Sequence, residues 1–424
     1  MATESRARSR AAVNTASVGH PQRIPRPVWF LGFTSLLTDA ATEIIYPLLP
    51  VYLRQVLGAS ATSLGIIEGV AEGVNSVLKV VSGWMADRHT RRRPLVIVGY
   101  AISSASRPLI ALTTAWQQVL LIRALDRTGK GIRGAPRDAM LAHFARESSR
   151  GRIFGFHRAM DHTGAIVGPL AATVFLFFLP GAYRTLFLLT IIPGALAVAM
   201  LFFVQEPDAD IAMDQPPAQS LAPGTPPLSR DTSMPEPLPR RLYAVLAIIL
   251  LFSLGNSADA FLLLRLSDAL GSGTFIPLLW SGLHVVKASL SMWGGGLSDR
   301  LGRKRVIVIG WTIYALVYLG FATATGAAVF VAWFLFYGVY FALAEGAEKA
   351  LVADLTPPSR HGAAFGLYNA ALGVGTLAAS VAFGFLYDRF GAATAFTAGA
   401  MLAAVAAVLL AIVPVSKYSS RLSR

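Results

Sequence analysis

The stretch SGWMADRHTRRR, residues 82–93, returns in modified form as GGGLSDRLGRKR at residues 294–305. Aligning the two copies places Asp87 over Asp299, and the same spacing places GAPR, residues 134–137, over GAEK, residues 346–349. Nearly the same spacing places RIFGFHRA over AAFGLYNA. Matches at nearly one offset indicate an internal duplication, so the chain is predicted to fold as two related halves, as duplicated membrane bundles do.

The composition places most of the chain in a lipid bilayer. The 424 residues are 54% hydrophobic and 14% charged, with a mean hydropathy of +0.56, whereas soluble domains carry about 25% charged residues. Apolar stretches recur, each near the ~20 residues that cross a ~30 Å hydrocarbon core. We read about twelve of them, six on each side of one polar segment, which predicts an all-α membrane protein.

The domain organisation follows from the same pattern. The polar segment is rich in Pro, acidic and poor in aromatic residues, which is typical of a flexible linker. The N-terminal residues lack an apolar region with a cleavage site, so they are interpreted as a tail and not as a signal peptide. The predicted segments are a disordered cytoplasmic tail at 1–27, a six-helix bundle at 28–204, a cytoplasmic linker at 205–241, a second six-helix bundle at 242–414 and a cytoplasmic tail at 415–424.

The net charge of +14 lies mainly in alternate loops, such as residues 91–93 and 303–305. The loops LTTAW and ATATGAA carry no Lys or Arg, which is the positive-inside pattern. It predicts a multi-pass protein of the bacterial inner membrane with both termini in the cytoplasm, and it argues against a nucleic-acid partner. The chain has no Cys, which excludes disulfides and thiolate metal sites.

The second copy of the repeated stretch resembles the signature Gly-x-Leu-x-Asp-Arg-x-Gly-Arg-Lys of the major facilitator superfamily, with Leu297 and Lys304 in place. In the first copy, Met85 and Thr90 replace the Leu and the second Gly. The resemblance implies two pseudo-symmetric six-helix bundles and a cytoplasmic latch that favours the outward-open state. The residues assigned to this gating motif are Gly83, Asp87, Arg88, Arg91, Arg137, Gly295, Asp299, Arg300, Gly302 and Arg303.

The stretch GAIVGPLAAT, residues 164–173, resembles the Gly-x3-Gly-Pro motif of antiporters in the same superfamily. Gly164, Gly168 and Pro169 match it, while Ala172 and Thr173 stand where the motif closes with a Gly pair. The resemblance implies export by antiport. The alternative interpretation is an ordinary kink in a packed helix.

One predicted membrane helix, near residues 116–143, carries a stripe of basic residues. Arg123, Arg127, Lys130, Arg133 and Arg137 are separated by three or four positions, so they share one helix face. A charge near the bilayer centre costs about 2.5 to 3.5 kcal/mol on an insertion scale. The stripe is therefore predicted to face a hydrated cavity or acidic partners and not lipid.

Acidic residues of the same half supply candidate partners. We expect proton coupling to use Asp39 and Glu43 of the first helix, Glu68 and Glu72 of the second, and Asp161 of the fifth, since intramembrane carboxylates are functional by default. Some of these charges are expected to form structural ion pairs instead. The residues predicted to line the substrate cavity are Arg123, Asp126, Arg127, Lys130, His157, His284, Lys287 and Asn369.

These features predict a secondary transporter that exports a small solute in exchange for protons, working as a monomer without a cofactor or resident metal. One alternative is transport of a metal ion or chelate, because His157 and Asp161 share a helix face. Proton-coupled uptake of an organic anion and a non-transporting membrane sensor are the others. No nucleophile, metal or phosphate-loop motif supports an enzyme.

Overall fold

The computed structural model describes residues 24–88, 92–144, 150–204, 238–357 and 360–415. The side chains of residues 79–91 and of Gly295 and Asp299 lie outside this description. The helices are α1 (Arg26–Gln55), α2 (Ala61–Arg88), α3 (Arg93–Leu112), α4 (Trp116–His143), α5 (Arg150–Phe178), α6 (Tyr183–Leu201), α7 (Arg240–Leu270), α8 (Ile276–Leu301), α9 (Arg303–Thr323), α10 (Ala327–Asp354), α11 (His361–Phe390) and α12 (Ala392–Ile412).

The described part of the chain contains helices and no β-strand, which confirms the predicted all-α membrane fold. The helix predicted near residues 116–143 is observed as α4, Trp116–His143. Within the described ranges, nine helices are apolar and long enough to cross a bilayer, and α2, α4 and α8 are the more polar exceptions. These three therefore depend most on neighbouring helices for shielding from lipid. The predicted tails and linker fall largely on residues 1–23, 205–237 and 416–424, outside the described residues.

Short connections make successive helices antiparallel, so the bundle has two ends. We call the end that holds residues 24 and 415 the termini side, and the opposite end the far side. Two helices are broken within their spans. In α1 a 3-10 turn, Tyr46–Leu48, interrupts the α-helix beside Pro47, and α7 is interrupted between Gly255 and Ala260. Non-helical backbone at this depth needs protein or water around it, and both breaks lie inside the bundle.

The two six-helix halves meet along α2 and α11. Gly65, Gly69 and Gly73 recur every four residues on α2, and a Cβ atom on Gly65 would overlap the main-chain carbonyl of Ser380 on α11. Small residues at such a stripe let two helix backbones approach closely. The glycines thus set the distance between the halves at the far side.

We expect Gly65→Ala to destabilise the protein by about 1–3 kcal/mol, because the added methyl group forces two backbones apart. Gly366→Ala on α11 is the matched control, since a Cβ atom there meets nothing within 4 Å, and alanine favours the helix by about 1 kcal/mol. Thermal unfolding in detergent measures both variants. Equal melting temperatures for the two variants would contradict the close approach of α2 and α11 at Gly65.

The described contacts between the halves concentrate at the far side. Between α2 and α11 they run from Gly65 to Ser76 and Gly373, and a groove of about 660 Å³ lies between the two helices beside Val70, Val77 and Val374. On the termini side, the N-terminal half has its own small hydrophobic core around Val28, Tyr100 and Leu201.

Candidate functional site

Four charged side chains form a buried cluster in the far half of the N-terminal bundle. Arg123 on α4 donates to Glu68 on α2 over 2.8 Å and lies 3.8 Å from Asp126. Asp126 accepts a second bond from Nε of Arg107 on α3, at 3.0 Å. All four side chains are at most 6% exposed. Two positive and two negative charges balance within this ion cluster, which permits such deep burial.

The ion cluster is closed to a solute in this conformation. The cavity beside it measures about 10 Å³ and is lined by Thr42, Ile45, Arg107, Ile110, Arg123 and Asp126. Arg123 also lies 5.6 Å from the centre of the Tyr46 ring. The cluster therefore ties α2, α3 and α4 together next to α1. Of the predicted site residues, the structure places Glu68, Arg123 and Asp126 here.

The remaining cations of the α4 stripe divide into bonded and unbonded groups. Arg133 is buried, donates to the Ser103 hydroxyl at 2.8 Å and lies 4.1 Å from the Tyr100 ring centre. Arg137 pairs with the neighbouring Asp138 at 2.8 Å. Arg127 and Lys130 form no ion pair with any residue that the structure describes. These two cations in the middle of α4 are therefore not neutralised by a direct ion pair with a described residue.

The predicted proton-coupling carboxylates lie beside these cations. Asp39 on α1 makes no hydrogen bond or ion pair with a described residue, although Lys130, Arg133 and Asp161 lie within electrostatic range. Asp161 on α5 accepts a bond from the Ser35 hydroxyl and lies 3.5 Å from Nδ1 of His157. The structure thus gathers carboxylates of α1 and α5 around a basic helix face.

Glu72 and Glu43, also predicted for proton coupling, each accept one hydrogen bond from a described side chain. Glu72 on α2 accepts a bond from Asn75 at 3.1 Å. Glu43, one helical turn beyond Asp39, accepts a bond from Nε1 of Trp280 on α8 at 2.7 Å. The second bond joins the two halves of the protein, and the Tyr46 ring packs against Trp280 at 5.1 Å between ring centres.

The C-terminal half contributes a smaller polar group. Lys287 on α8 lies 3.7 Å from Asp259, at the break in α7, and Asp259 accepts a bond from the Tyr337 hydroxyl at 2.8 Å. The Lys287 ammonium also lies 3.4 Å from the centre of the Phe341 ring. The sequence prediction named Lys287 for the cavity wall without either of its partners.

The other residues predicted for this wall are less constrained. His284 packs against Trp280, and its buried Nε2 has no hydrogen-bond partner among the described residues. Asn369 is exposed and donates to the carbonyl of Phe365 in its own helix.

A separate ion pair lies on α10. Glu345 and Lys349, four residues apart, pair at 3.0 Å on half-exposed side chains.

A carboxylate from the C-terminal half closes the far side. Asp388, near the end of α11, accepts bonds from the main-chain N–H groups of Ala61 and Thr62 at 2.9 and 2.7 Å, and from the Thr62 hydroxyl at 2.6 Å. These donors belong to the first turn of α2, whose N–H groups have no partner within the helix. Asp388 therefore caps a helix of the opposite half.

The gating motif is only partly within the description. Gly302 has a φ of +91° and separates α8 from α9, a conformation that glycine adopts without strain. Arg303 donates to the Ser298 hydroxyl at 3.0 Å and lies 3.8 Å from Asp354, while Arg300 is exposed. Arg91 and the side chains of Asp87, Arg88 and Asp299 lie outside the described residues.

The sequence did not lead us to two residues, Arg107 of the ion cluster and Asp388 at the far side. Arg107 lies in an apolar stretch, SSASRPLIAL, where a single charge is itself the signal. Asp388 lies in the pattern YDRF at the end of a predicted helix and looks like an ordinary surface residue. Only the packing of α11 against α2 gives it a partner.

Among the described residues, no group of three or more His, Asp or Glu side chains is placed to hold a metal ion. His157 and Asp161 lie near each other without a third ligand.

Two six-helix halves, joined at one end around intramembrane charges, define a secondary-transporter fold. The Major Facilitator Superfamily matches residues 31–258 and 244–423. An uncharacterized MFS-type transporter of Methanocaldococcus jannaschii is 31% identical over 92% of this chain and 95% of its own length. The chain belongs to the Major Facilitator Superfamily and is a secondary transporter, not an enzyme.

Two further likenesses are informative. The multidrug resistance protein MdtH of Photorhabdus laumondii is 28% identical over 142 residues, which is 34% of this chain and 35% of MdtH. The crystal structure of a bacterial homologue of the human lysosomal transporter Spinster, inward-facing and unoccupied, superposes with a TM-score of 0.69 at 14% identity, covering 93% of this chain and 96% of that one. At this identity, the second likeness concerns the fold alone.

Proposed function

We propose that the protein exports a small solute in exchange for protons. The observation that carries the proposal is the placement of Asp39, a carboxylate without a bonded partner among the described residues, within range of Lys130 and Asp161 at mid-membrane. A carboxylate in this setting can be charged beside the cations or neutral after taking a proton. Glu43, Glu72 and Asp161 belong to the same proposal, whereas Glu68, which the sequence also predicted for proton coupling, is paired with Arg123 in the ion cluster.

Antiport follows when the proton and the solute need the same carboxylate. A cationic solute binds only to the charged form, so each proton that binds releases solute and each solute that binds releases a proton. The partial antiporter motif at Gly164, Gly168 and Pro169 supports this exchange. The likeness of one third of the chain to a multidrug resistance protein also supports it.

In the proposed cycle the described conformation is inward-open. We place the termini side in the cytoplasm of a bacterial inner membrane on the basis of the positive-inside pattern, and the concentration of described contacts at the far side supports an opening toward the cytoplasm. The bonds of Asp388 to α2 and of Trp280 to Glu43 hold the far side closed. Opening of the far side then requires all of these bonds to break while the motif at Asp87 and Asp299 closes the termini side.

A proton-flux assay tests the exchange. We expect ethidium added to proteoliposomes that contain the pH dye pyranine to raise the internal pH, with the membrane potential clamped by valinomycin and potassium. Asp39→Asn combined with Glu72→Gln is expected to abolish the change in internal pH, because an amide side chain does not take up or release a proton in this assay. The exposed pair Glu345 and Lys349 provides the control, Glu345→Gln with Lys349→Gln. Ethidium uptake that ignores pH and survives the Asp39 and Glu72 changes would refute the coupling.

A second candidate is uptake of an organic anion together with protons. The observation that favours it is the pair of cations without a carboxylate partner among the described residues, Arg127 and Lys130. A solute anion would compete with Asp39 for these cations, so protonation of Asp39 would favour its binding. The same assay separates the candidates, because citrate uptake with protons lowers the internal pH.

A further inference from the structure

Arg107 lies where helix α3 changes from an α-helix to the 3-10 segment Arg107–Leu112. Its side chain is 4% exposed, and its guanidinium reaches two other helices. Nε donates to Asp126 on α4 at 3.0 Å, and Nη1 donates to the main-chain carbonyl of Thr38 on α1 at 3.2 Å. A planar guanidinium can serve both acceptors at once, which a lysine ammonium does less well.

Both acceptors are sequence neighbours of residues in the proposed site. Thr38 precedes Asp39, and Asp126 precedes Arg127. Asp39 has no side-chain partner among the described residues, so its position depends on the backbone of α1. The Thr38 carbonyl, which also accepts a bond from the Thr42 hydroxyl at 2.9 Å, is a fixed point of that backbone.

The charge of Arg107 is not free to contribute to solute binding. It is balanced by Asp126 inside the ion cluster, where the adjacent cavity has a volume of about 10 Å³. The contribution of Arg107 to the site must therefore be made through geometry. A displacement of about 1 Å in a positioned group can cost about 100-fold in rate.

We propose that Arg107 is a positioning residue, which holds the α1 turn of Asp39 at a fixed distance from the α4 turn of Arg127. This inference rests on the proposed function, since it assigns a purpose to the placement of Asp39. It goes beyond that function in naming a residue of α3 that touches neither proton nor solute.

The test removes the guanidinium without leaving a buried charge. In Arg107→Met with Asp126→Leu, one positive and one negative charge disappear together, and Arg123 keeps Glu68 as its partner. We expect a melting temperature close to that of the unchanged protein. We also expect the pH of half-maximal ethidium exchange to move by about 0.5 unit or more, and the maximal rate to fall about tenfold.

Arg184→Met is the matched control. Arg184 on α6 also donates to two main-chain carbonyls, those of Ala111 and Thr113, both at 2.8 Å. These carbonyls lie at the far side, away from Asp39. The control is therefore expected to keep the pH profile of the unchanged protein, because it removes an equivalent pair of bonds elsewhere.

A second measurement does not depend on proton coupling. The chain has no Cys, so Asp39→Cys provides a single thiol for a maleimide reagent. We expect the change at Arg107 and Asp126 to alter its labelling rate about fivefold or more, whereas Arg184→Met leaves it unchanged. Labelling rate and pH profile both unmoved would overturn the positioning role. A labelling change in the Asp39→Cys series, together with flux that ignores pH in the protein that keeps Asp39, would instead refute the proposed coupling and keep the positioning role.

Discussion

Arg123→Met is expected to lower the free energy of unfolding by about 3–5 kcal/mol, the cost of leaving a buried charge without its partner. The orphaned group is Glu68, whose carboxylate is 6% exposed and has Arg123 as its bonded cation at 2.8 Å. Removing both, as Arg123→Met with Glu68→Leu, is expected to recover most of this loss, because a matched apolar pair replaces a matched ion pair. Unfolding of the detergent-solubilised protein by heat or by SDS measures the difference.

Arg137→Met on the same helix is the control. Arg137 also has a carboxylate partner at 2.8 Å, but the side chain of Asp138 is 53% exposed. Pairs in contact with water contribute about 0–1 kcal/mol, so this variant is expected to unfold close to the unchanged protein. If Arg123→Met and the double variant lost the same stability, the account of a balanced ion cluster would be wrong.

Asp388→Ala is expected to open the far side. The carboxylate accepts three bonds from the first turn of α2, and a helix cap contributes about 0.5–2 kcal/mol. Since Asp388 is exposed, we take about 1 kcal/mol, which shifts the balance between far-side closed and far-side open protein roughly fivefold. The bonds join opposite halves, so their loss destabilises the described conformation more than the individual bundles.

Single thiols in the Cys-free chain report this shift. Ser281 on α8 is buried against the carbonyl of Ile166 on α5, and Ala288, two turns further on the same face, is exposed. In Asp388→Ala, maleimide labelling of Ser281→Cys is expected to become about fivefold faster and labelling of Ala288→Cys slower. Asp268→Ala is the control, because Asp268 bonds Tyr387 within the C-terminal half. Faster labelling of both reporters would indicate general loosening of the protein and contradict the role of Asp388 in closing the far side.

Much of the fold could be predicted from local properties of the chain. The repeated stretches at Asp87 and Asp299 revealed two halves, and the sequence placed the helix predicted near residues 116–143 at its observed position, Trp116–His143. Both signals depend on the cost of burying polar groups in lipid, which acts on each segment separately. The break in α7 was not predicted, because it depends on contacts between helices that are distant in sequence. The break in α1 falls at Pro47, a local signal that could have predicted it, since proline disrupts a helix interior.

The site could be predicted only as a collection of charges. The spacing of Arg123, Arg127 and Lys130 indicated one helix face. It could not say that Arg123 is locked to Glu68 in a dry cluster while Lys130 is exposed. Which carboxylate meets which cation is decided by the packing of α2, α3 and α4, and that packing also brought in Arg107.

The sequence by itself determined that the chain is a membrane protein of two halves, since the repeat and the free energy of placing each segment in lipid or water are properties of the chain alone. Only the tertiary structure decided the partners, such as Glu43 with Trp280 and Asp388 with the first turn of α2. These bonds join residues far apart in the chain, and a hydrogen bond depends on distances of a few tenths of an ångström. Such distances are fixed only when whole helices pack.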